Sequence, residues 1–300
     1  MSTENLRLYL DFVHNRHEVW EKRQRGEAAP WTDDPILANY KFTNVYRVLD
    51  HGTQFVLRLL YEDEPSYSTA LFRAFLYRYT NRPEPWERFY DTHGRMPNIL
   101  DAVDGTLLFN WWEQRHDGLP IFGNAFKMFS GAENKGTDRL TWAVHLARDV
   151  FADGSFMRRW VTLRTQEERM ALLKTIPRVA DFMGMQILTD IGYSQWLQSD
   201  ENEFIAPGPG AKRGAAEIFG SRLSAEQAIR ELQPTLACGL ELPDGTIREP
   251  SLMDVQNTLC EFSKYMRYYR HPSPRKGQYN AVHAPEKPFY PPHWCTKEKQ

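Results

Sequence analysis

Apolar residues recur every three or four positions along most of the chain, and this spacing limits the folds open to it. Near the N-terminus, Leu6, Leu10 and Val13 follow the spacing of one helix face, with Ser2 or Thr3 placed to cap the helix. Few segments show the period-two alternation of a half-buried strand. The sequence therefore predicts an all-α fold. Helices are predicted at about residues 3–25, 33–49, 52–62, 66–80, 98–114, 137–151, 165–175, 178–192 and 252–269, and short strands at 160–163 and 246–247.

The length of the chain suits one large domain or two lobes that share a core. At 300 residues, burial is ample for a core of that size. We expect a single helical domain over residues 1–270. Residues 271–300 are rich in proline and aromatic side chains, so we expect an extended tail packed on the body.

Composition excludes several classes of protein. The net charge of −2 argues against a protein that coats nucleic acid with its whole surface. The three cysteines are far apart, which implies no disulfide framework and no zinc or iron–sulfur site, so we predict neither a metal nor a cofactor. The sequence shows no signal peptide and no apolar run of membrane length, so we expect a cytoplasmic protein without a membrane partner.

A glycine-rich turn at residues 204–219, called the glycine hairpin below, precedes a predicted helix. Such a turn presents backbone N–H donors, a helix N-terminus and two cations to one phosphate, as in helix-hairpin-helix DNA-binding motifs. The final glycine is small enough to let two helices approach closely. The alternative, equally favoured by the residues alone, is a plain helix connection with solvated basic side chains. The residues concerned are Gly208, Gly210, Lys212, Arg213 and Gly214.

The predicted helix 252–269 carries polar residues on one face, called the polar stripe below. Its members fall at spacings of three or four, and apolar residues occupy the opposite face. An ordinary surface helix has the same pattern. The position of the stripe, after the glycine hairpin and next to the basic residue Arg267, favours a functional interpretation. The stripe consists of Asp254, Asn257, Glu261, Lys264 and Tyr268.

A partner for the polar stripe is predicted in residues 41–50, which we expect to be helical. On such a helix Asn44, Arg47 and His51 share a face, with Thr43 and Asp50 at its margins. Arginine in an amphipathic helix usually extends to solvent. In a binding pocket it would instead offer a bidentate fork to an anion. The spacing alone favours the first of these alternatives.

Several segments together resemble one family, the α-glutamyl/putrescinyl thymine pyrophosphorylases, or amino acid:DNA transferases, of phages with hypermodified thymine. The same helical domain is associated with 5-hydroxymethyluracil DNA kinases. The matching segments lie in the order of the family at residues 30–37, 40–47, 186–190, 208–214 and 259–265.

The resemblance implies a fold similar to helical DNA glycosylases and a substrate of double-stranded DNA with modified thymine, in the cytoplasm of an infected bacterium. In the implied reaction, an amine displaces pyrophosphate from 5-pyrophosphoryloxymethyl-deoxyuridine. An amino acid is favoured over a polyamine as the donor. The sequence shows no Walker A motif, so the resemblance indicates the transfer step, with an upstream DNA kinase as a further partner.

The resemblance also assigns expected roles. Asp254 or Glu261 would act as the base, and Arg47, Lys264 and Arg267 would bind the pyrophosphate. The glycine hairpin would hold the DNA backbone. The base and the donor would be bound by Thr43, Asn44, Tyr46, Asn257 and Tyr268.

Two other functions stay open at this stage. The first is a glycosylase for a modified pyrimidine, with Asp254 stabilising an oxocarbenium-like sugar. The second is a non-catalytic DNA-binding module that works beside a separate kinase.

Overall fold

The computed structural model describes residues 2–123, 138–197, 200–272 and 287–295. They form fourteen α-helices: α1 (Thr3–Gln24), α2 (Pro35–Asn39), α3 (His51–Tyr61), α4 (Tyr67–Thr80), α5 (Glu84–His93), α6 (Ile99–Val103), α7 (Thr106–His116), α8 (Arg139–Phe151), α9 (Ser155–Trp160), α10 (Gln166–Leu173), α11 (Asp181–Gly192), α12 (Pro209–Phe219), α13 (Ala225–Leu232) and α14 (Leu252–Arg270). The strands β1 (Leu240–Glu241) and β2 (Ile247–Arg248) form an antiparallel pair, and short 3₁₀ helices cover Arg47–Leu49, Gln233–Thr235 and Pro292–Trp294. The predicted all-α class is thus confirmed in its coarse form.

The chain divides into two compact units, Met1–Asp50 with Asp200–Gln300, and His51–Ser199. In the first unit α12 packs on α14, and α1 and α13 pack against the same pair. A Cβ atom on Gly214 would lie 2.7 Å from the carbonyl carbon of Leu259, and one on Gly210 would lie 3.1 Å from Cβ of Cys260. The predicted close approach of two helices at Gly214 is therefore confirmed.

The second unit is built around α4, whose residues from Ala70 to Thr80 are all buried. Helices α3, α8 and α11 pack against it. Arg78 of α4 and Asp190 of α11 form a buried ion pair, with Nη2 and Oδ1 2.6 Å apart. Each charge is tolerated in this core because the other is present.

Helix starts follow the capping residues that the sequence offers. The Ser2 hydroxyl caps α1, and Asp34 Oδ1 accepts the N–H groups of Ile36 and Leu37 at the start of α2. The start predicted at Asp33-Asp34-Pro35 is confirmed. In α14, Ser251 and Asp254 form a capping box, in which each side chain accepts the backbone N–H of the other residue.

The helix predicted from about 33 to 49 is wrong beyond Asn39. Residues 40–46 contain no helix, and only Arg47–Leu49 form a short 3₁₀ turn. The physical reason lies in Asn44, whose N–H donates to Asp50 Oδ1 and whose side-chain amide donates to the Leu49 carbonyl. These local hydrogen bonds replace the helical ones.

Other boundaries also differ from the prediction. The helix predicted over 98–114 divides into α6 and α7 at Gly105, which adopts a φ of +84°. The strand predicted at 160–163 is wrong, because Trp160 ends α9. The strand candidate at 246–247 is confirmed at Ile247, in β2.

The predicted tail is described only over residues 287–295. There Trp294 is buried, and its ring centre lies 3.5 Å from the guanidinium carbon of Arg248. The rest of the predicted tail, residues 273–286 and 296–300, lies outside the described residues. Among the helices that the structure describes, none has the length and apolar character to cross a membrane.

Candidate functional site

The polar stripe of α14 lies along residues 40–47, called the extended segment below. Arg47 N–H donates to Asp254 Oδ1 at 2.8 Å, and Asn257 Nδ2 donates to the Asn44 carbonyl at 3.0 Å. Thr43 N–H donates to Glu261 Oε2 at 3.0 Å, and the ring of Tyr268 stacks on Tyr40 with centroids 3.7 Å apart. The predicted pairing of these two segments is confirmed, although the partner is not a helix. Most of the stripe therefore has a structural role, since it binds the backbone of the extended segment.

Asn44 lies at the centre of this contact. Its N–H is held by Asp50, and its side-chain oxygen accepts a hydrogen bond of 2.6 Å from Arg16 Nη2. Its side-chain amide and its carbonyl are engaged by Leu49 and Asn257. Since each polar group of Asn44 already has a partner, Asn44 is better placed to fix the segment than to read a base.

Asp254 also has its oxygens engaged. Oδ2 accepts from the Ser251 N–H at 2.9 Å and the Ser251 hydroxyl at 2.8 Å, and Oδ1 accepts from Arg47 N–H. The residue is only 4% exposed. The position expected for a catalytic base is therefore that of a buried helix cap.

Three further predicted site residues are buried. Arg47 is 4% exposed, and Tyr46 is fully buried with its hydroxyl 2.5 Å from the Cys238 carbonyl and 2.6 Å from that of Arg248. Burial raises the pKa of Tyr46 far above its ordinary value. Tyr268 is buried under Tyr40. In this structure these three side chains do not face solvent, where a ligand would approach.

Glu261 and Lys264 remain partly accessible. Lys264 Nζ lies 2.9 Å from Glu261 Oε2, donates to the Lys41 carbonyl and sits 4.4 Å from the ring centre of Phe42. Thr43 is exposed, and its hydroxyl accepts a hydrogen bond of 3.2 Å from Asn257 Nδ2. Glu261, Lys264, Thr43 and Asn257 form the accessible part of the contact between the polar stripe and the extended segment.

The glycine hairpin is only partly as predicted. Helix α12 begins at Pro209 as expected, but the Gly208 N–H donates to Gln256 Oε1 at 3.1 Å, and both residues are buried. Gly210 and Gly214 pack against α14. Residues 200–208 contain no helix, so the helix-hairpin-helix element is not confirmed. The glycines are explained by close helix packing.

The packing of α12 on α14 places cations from both helices near one atom. Lys212 and Arg213 are exposed on α12, and Arg267 is exposed on α14. Burial and the charge of Glu261 raise the pKa of the Cys260 thiol, while the charges of Arg213 and Lys264 lower it. We call Lys212, Arg213, Lys264 and Arg267 the basic face. These cations lie on two helices that pack closely at Gly210 and Gly214, an arrangement that offers positive charge to a polyanion.

The sequence interpretation missed one site residue, Arg16, and gave no role to a second, Asp50. Arg16 of α1 donates from Nε to the Thr43 carbonyl at 2.9 Å and from Nη2 to the Phe42 carbonyl, and it is 8% exposed. Asp50 holds Asn44 N–H at 2.8 Å, and burial raises the pKa of its carboxyl to about 7. An arginine near the middle of an amphipathic helix was the available signal for Arg16. The sequence pattern placed Asp50 at the margin of the face that contains Asn44 and Arg47, but it gave Asp50 no role.

The described residues contain no cluster of three or more His, Cys, Asp or Glu side chains suited to a metal ion.

Comparison with known proteins identifies a family. The profile described as "5-hmdU DNA kinase, helical domain" matches residues 3–275. A 5-hmdU DNA kinase of Bacillus phage SP10 is 25% identical over 301 residues, which cover 87% of this chain and 45% of the relative. The chain thus spans less than half the length of that relative. No solved structure matches this chain.

Proposed function

Because the chain belongs to the family of 5-hmdU DNA kinase helical domains, we propose that it binds phage DNA with thymine-derived bases and modifies them at the 5-methylene carbon. The observation that carries this proposal is the basic face. It stands beside the accessible carboxylate of Glu261 and is formed by two helices that pack through glycine. In a chain with a net charge of −2, a local group of cations supports a specific anionic ligand.

Lys212 and Arg213 are proposed to bind the DNA backbone. Both are exposed near the start of α12, where the helix dipole adds to their positive charge. Contacts of this type position a protein on the duplex without reading sequence. Recognition of the modified base would then fall to the accessible side chains of Thr43 and Asn257.

The proposed reaction is displacement of pyrophosphate by an amine on 5-pyrophosphoryloxymethyl-deoxyuridine. The amine nitrogen forms a bond to the 5-methylene carbon while the carbon–oxygen bond breaks, and pyrophosphate leaves with the electron pair. Lys264 and Arg267 would stabilise the negative charge that develops on the leaving group. Glu261 would bind the ammonium group of the donor. The basic face sets four cations beside the carboxylate of Glu261, which favours an amino acid over a polyamine as the donor.

The proposed roles of the residues that hold the extended segment change accordingly. Asp254, Asn44 and Arg47 are proposed as positioning residues, since they fix the extended segment on α14. Tyr46 and Tyr268 anchor the two ends of that segment. An upstream kinase that supplies the phosphorylated base would be the natural partner.

The test is mass spectrometry of nucleosides from DNA that carries 5-pyrophosphoryloxymethyluracil. The DNA is incubated with the protein and a pool of the standard amino acids with putrescine and spermidine. A nucleoside with an amine on the 5-methylene carbon, formed with release of pyrophosphate, is the expected product. Abasic sites would indicate a glycosylase instead.

One observation favours a second function, that of a DNA-binding module without catalysis. Much of the polar stripe is engaged in hydrogen bonds to the extended segment, as in a purely structural contact. Tight binding to modified DNA without product from any donor would support this alternative. For the glycosylase the engaged carboxylate of Asp254 leaves no candidate nucleophile or stabilising group at that position.

A further inference from the structure

Two consecutive backbone amides of the extended segment each donate a hydrogen bond to one carboxylate. Thr43 N–H donates to Glu261 Oε2 at 3.0 Å, and Asn44 N–H donates to Asp50 Oδ1 at 2.8 Å. One carboxylate belongs to α14 and the other follows the 3₁₀ turn at Arg47–Leu49. This dipeptide thus binds two acidic side chains from distant parts of the chain, and the charge of Glu261 contributes to the raised pKa of Asp50.

Each carboxylate has one oxygen that accepts no hydrogen bond from the residues that the structure describes. Within the described ranges, no residue donates a hydrogen bond to Asp50 Oδ2 or to Glu261 Oε1. Asp254 differs, because both of its oxygens accept hydrogen bonds from the protein. A group that accepts a proton needs an accessible lone pair, and Asp50 is half-buried rather than enclosed.

The charged groups that act on Asp50 belong to three elements. Arg16 of α1 and Arg47 of the 3₁₀ turn favour its charged form, as does the Asn44 N–H. Burial opposes the charge and has the largest effect, and Glu261 of α14 acts in the same direction. Together they raise the pKa of Asp50 to about 7. General bases are most effective when their pKa lies near the working pH.

We propose that Asp50 accepts the proton of the amine nucleophile, beside Glu261, which holds the donor's ammonium group. This inference rests on the transfer proposed above. The bound ammonium gives one proton to Asp50 Oδ2, and the freed nitrogen lone pair attacks the 5-methylene carbon. Pyrophosphate departs with the electrons of the carbon–oxygen bond, and Asp50 then releases its proton to water.

The test compares the full-length wild-type protein with Asp50→Asn in single-turnover transfer from the amine pool, across a range of pH. The wild-type rate should rise with pH and level off above about 7, when Asp50 is ionised. Asp50→Asn should be slower by about 10²-fold or more at neutral pH. Its rate should keep rising towards the pKa of the free amine, since only uncharged amine from solution can then react.

Hydroxylamine separates a proton acceptor from a merely structural residue. It is largely uncharged at neutral pH and needs no base, so wild type and Asp50→Asn should use it at similar rates. Asp50→Glu, which keeps a carboxylate, should retain the plateau at a reduced rate. Asp33→Asn removes an exposed carboxylate of the same unit and should match the wild type.

Four outcomes contradict the proposal. A wild-type rate and profile in Asp50→Asn would exclude Asp50 as the base, as would a loss that hydroxylamine does not rescue. If Asp50→Asn does not fold, loss of the plateau in a folded Asp50→Glu variant would exclude it as well. If the wild type gives no product from any amine, the transfer itself is wrong and Asp50 loses its role with it. Product from the wild type together with failure at Asp50 overturns only the present inference.

Discussion

Gly214 of α12 lies against the backbone of Leu259 of α14, with no space between them for a side chain. A Cβ atom there would overlap the Leu259 carbonyl oxygen and lie 2.7 Å from its carbon. The obstacle is backbone, which cannot move aside as the end of a flexible side chain can. This contact sets the distance between the two helices that carry the basic face.

Gly214→Ala should therefore destabilise the protein. Overpacking in a core costs roughly 1–3 kcal/mol, and a clash with backbone should fall at the upper end. Urea denaturation would measure the change in the free energy of unfolding. The matched control is Gly52→Ala in α3, where a Cβ atom would meet only the Tyr77 hydroxyl at 3.5 Å. That variant should be neutral or more stable by about 0.5–1 kcal/mol; equal destabilisation of both would contradict the packing explanation.

The double variant Lys212→Ala/Arg213→Ala should bind DNA more weakly. Each phosphate contact that is lost should reduce the slope of log K against log salt by about 0.9. Fluorescence anisotropy at several salt concentrations gives both quantities. Arg158→Ala/Arg159→Ala removes a comparable exposed pair from α9 and is the control. An unchanged slope in the first variant would mean that Lys212 and Arg213 do not contact phosphate groups of the DNA.

The sequence predicted α14 and its polar stripe well, because the amphipathic period of a helix is local information. It also predicted which segment pairs with the stripe. It did not predict the conformation of that segment, because Tyr40, Val45 and Leu49 continue a helical spacing past the real end of α2. The competing hydrogen bonds from Asn44 and Asp50 depend on how side chains turn back on the backbone.

The role of the glycine hairpin shows a different limit. The helix start and the close approach at Gly214 follow from the residue types. The hydrogen-bond partner of the Gly208 N–H does not follow from the residue types, because this N–H donates to Gln256, which lies 48 residues later in the chain. Likewise, the three carbonyl and amide oxygens that Arg16 holds lie 26 to 28 residues away. Such partners are set by the tertiary fold, which spacing along one helix does not contain.

Asp254→Asn should lower stability together with any transfer activity. An asparagine has one acceptor oxygen, so its amide would face a backbone donor of Ser251 or Arg47. An unsatisfied buried group of this kind costs about 1–3 kcal/mol. Thermal unfolding and single-turnover transfer should be measured on the same samples, with Ser251→Ala as a second loss of the cap. Full stability with no turnover would restore Asp254 as the catalytic base.

The stability of the protein should depend on the ionisation of Asp50. Burial raises its pKa from 3.8 in the unfolded chain to about 7 in the folded protein. The folded state therefore binds the proton more tightly, and its contribution to stability is complete below the unfolded pKa and is lost as the pH rises through the folded one. The wild type should lose stability relative to Asp50→Asn between about pH 4 and pH 7, and the difference should then stay constant.

Asparagine keeps an oxygen for the Asn44 N–H, so the comparison isolates the charge. Urea denaturation of both proteins across this range, with Asp33→Asn as an exposed control, gives the difference directly. Parallel curves for wild type and Asp50→Asn would mean that Asp50 titrates in the folded protein as it does in the unfolded chain.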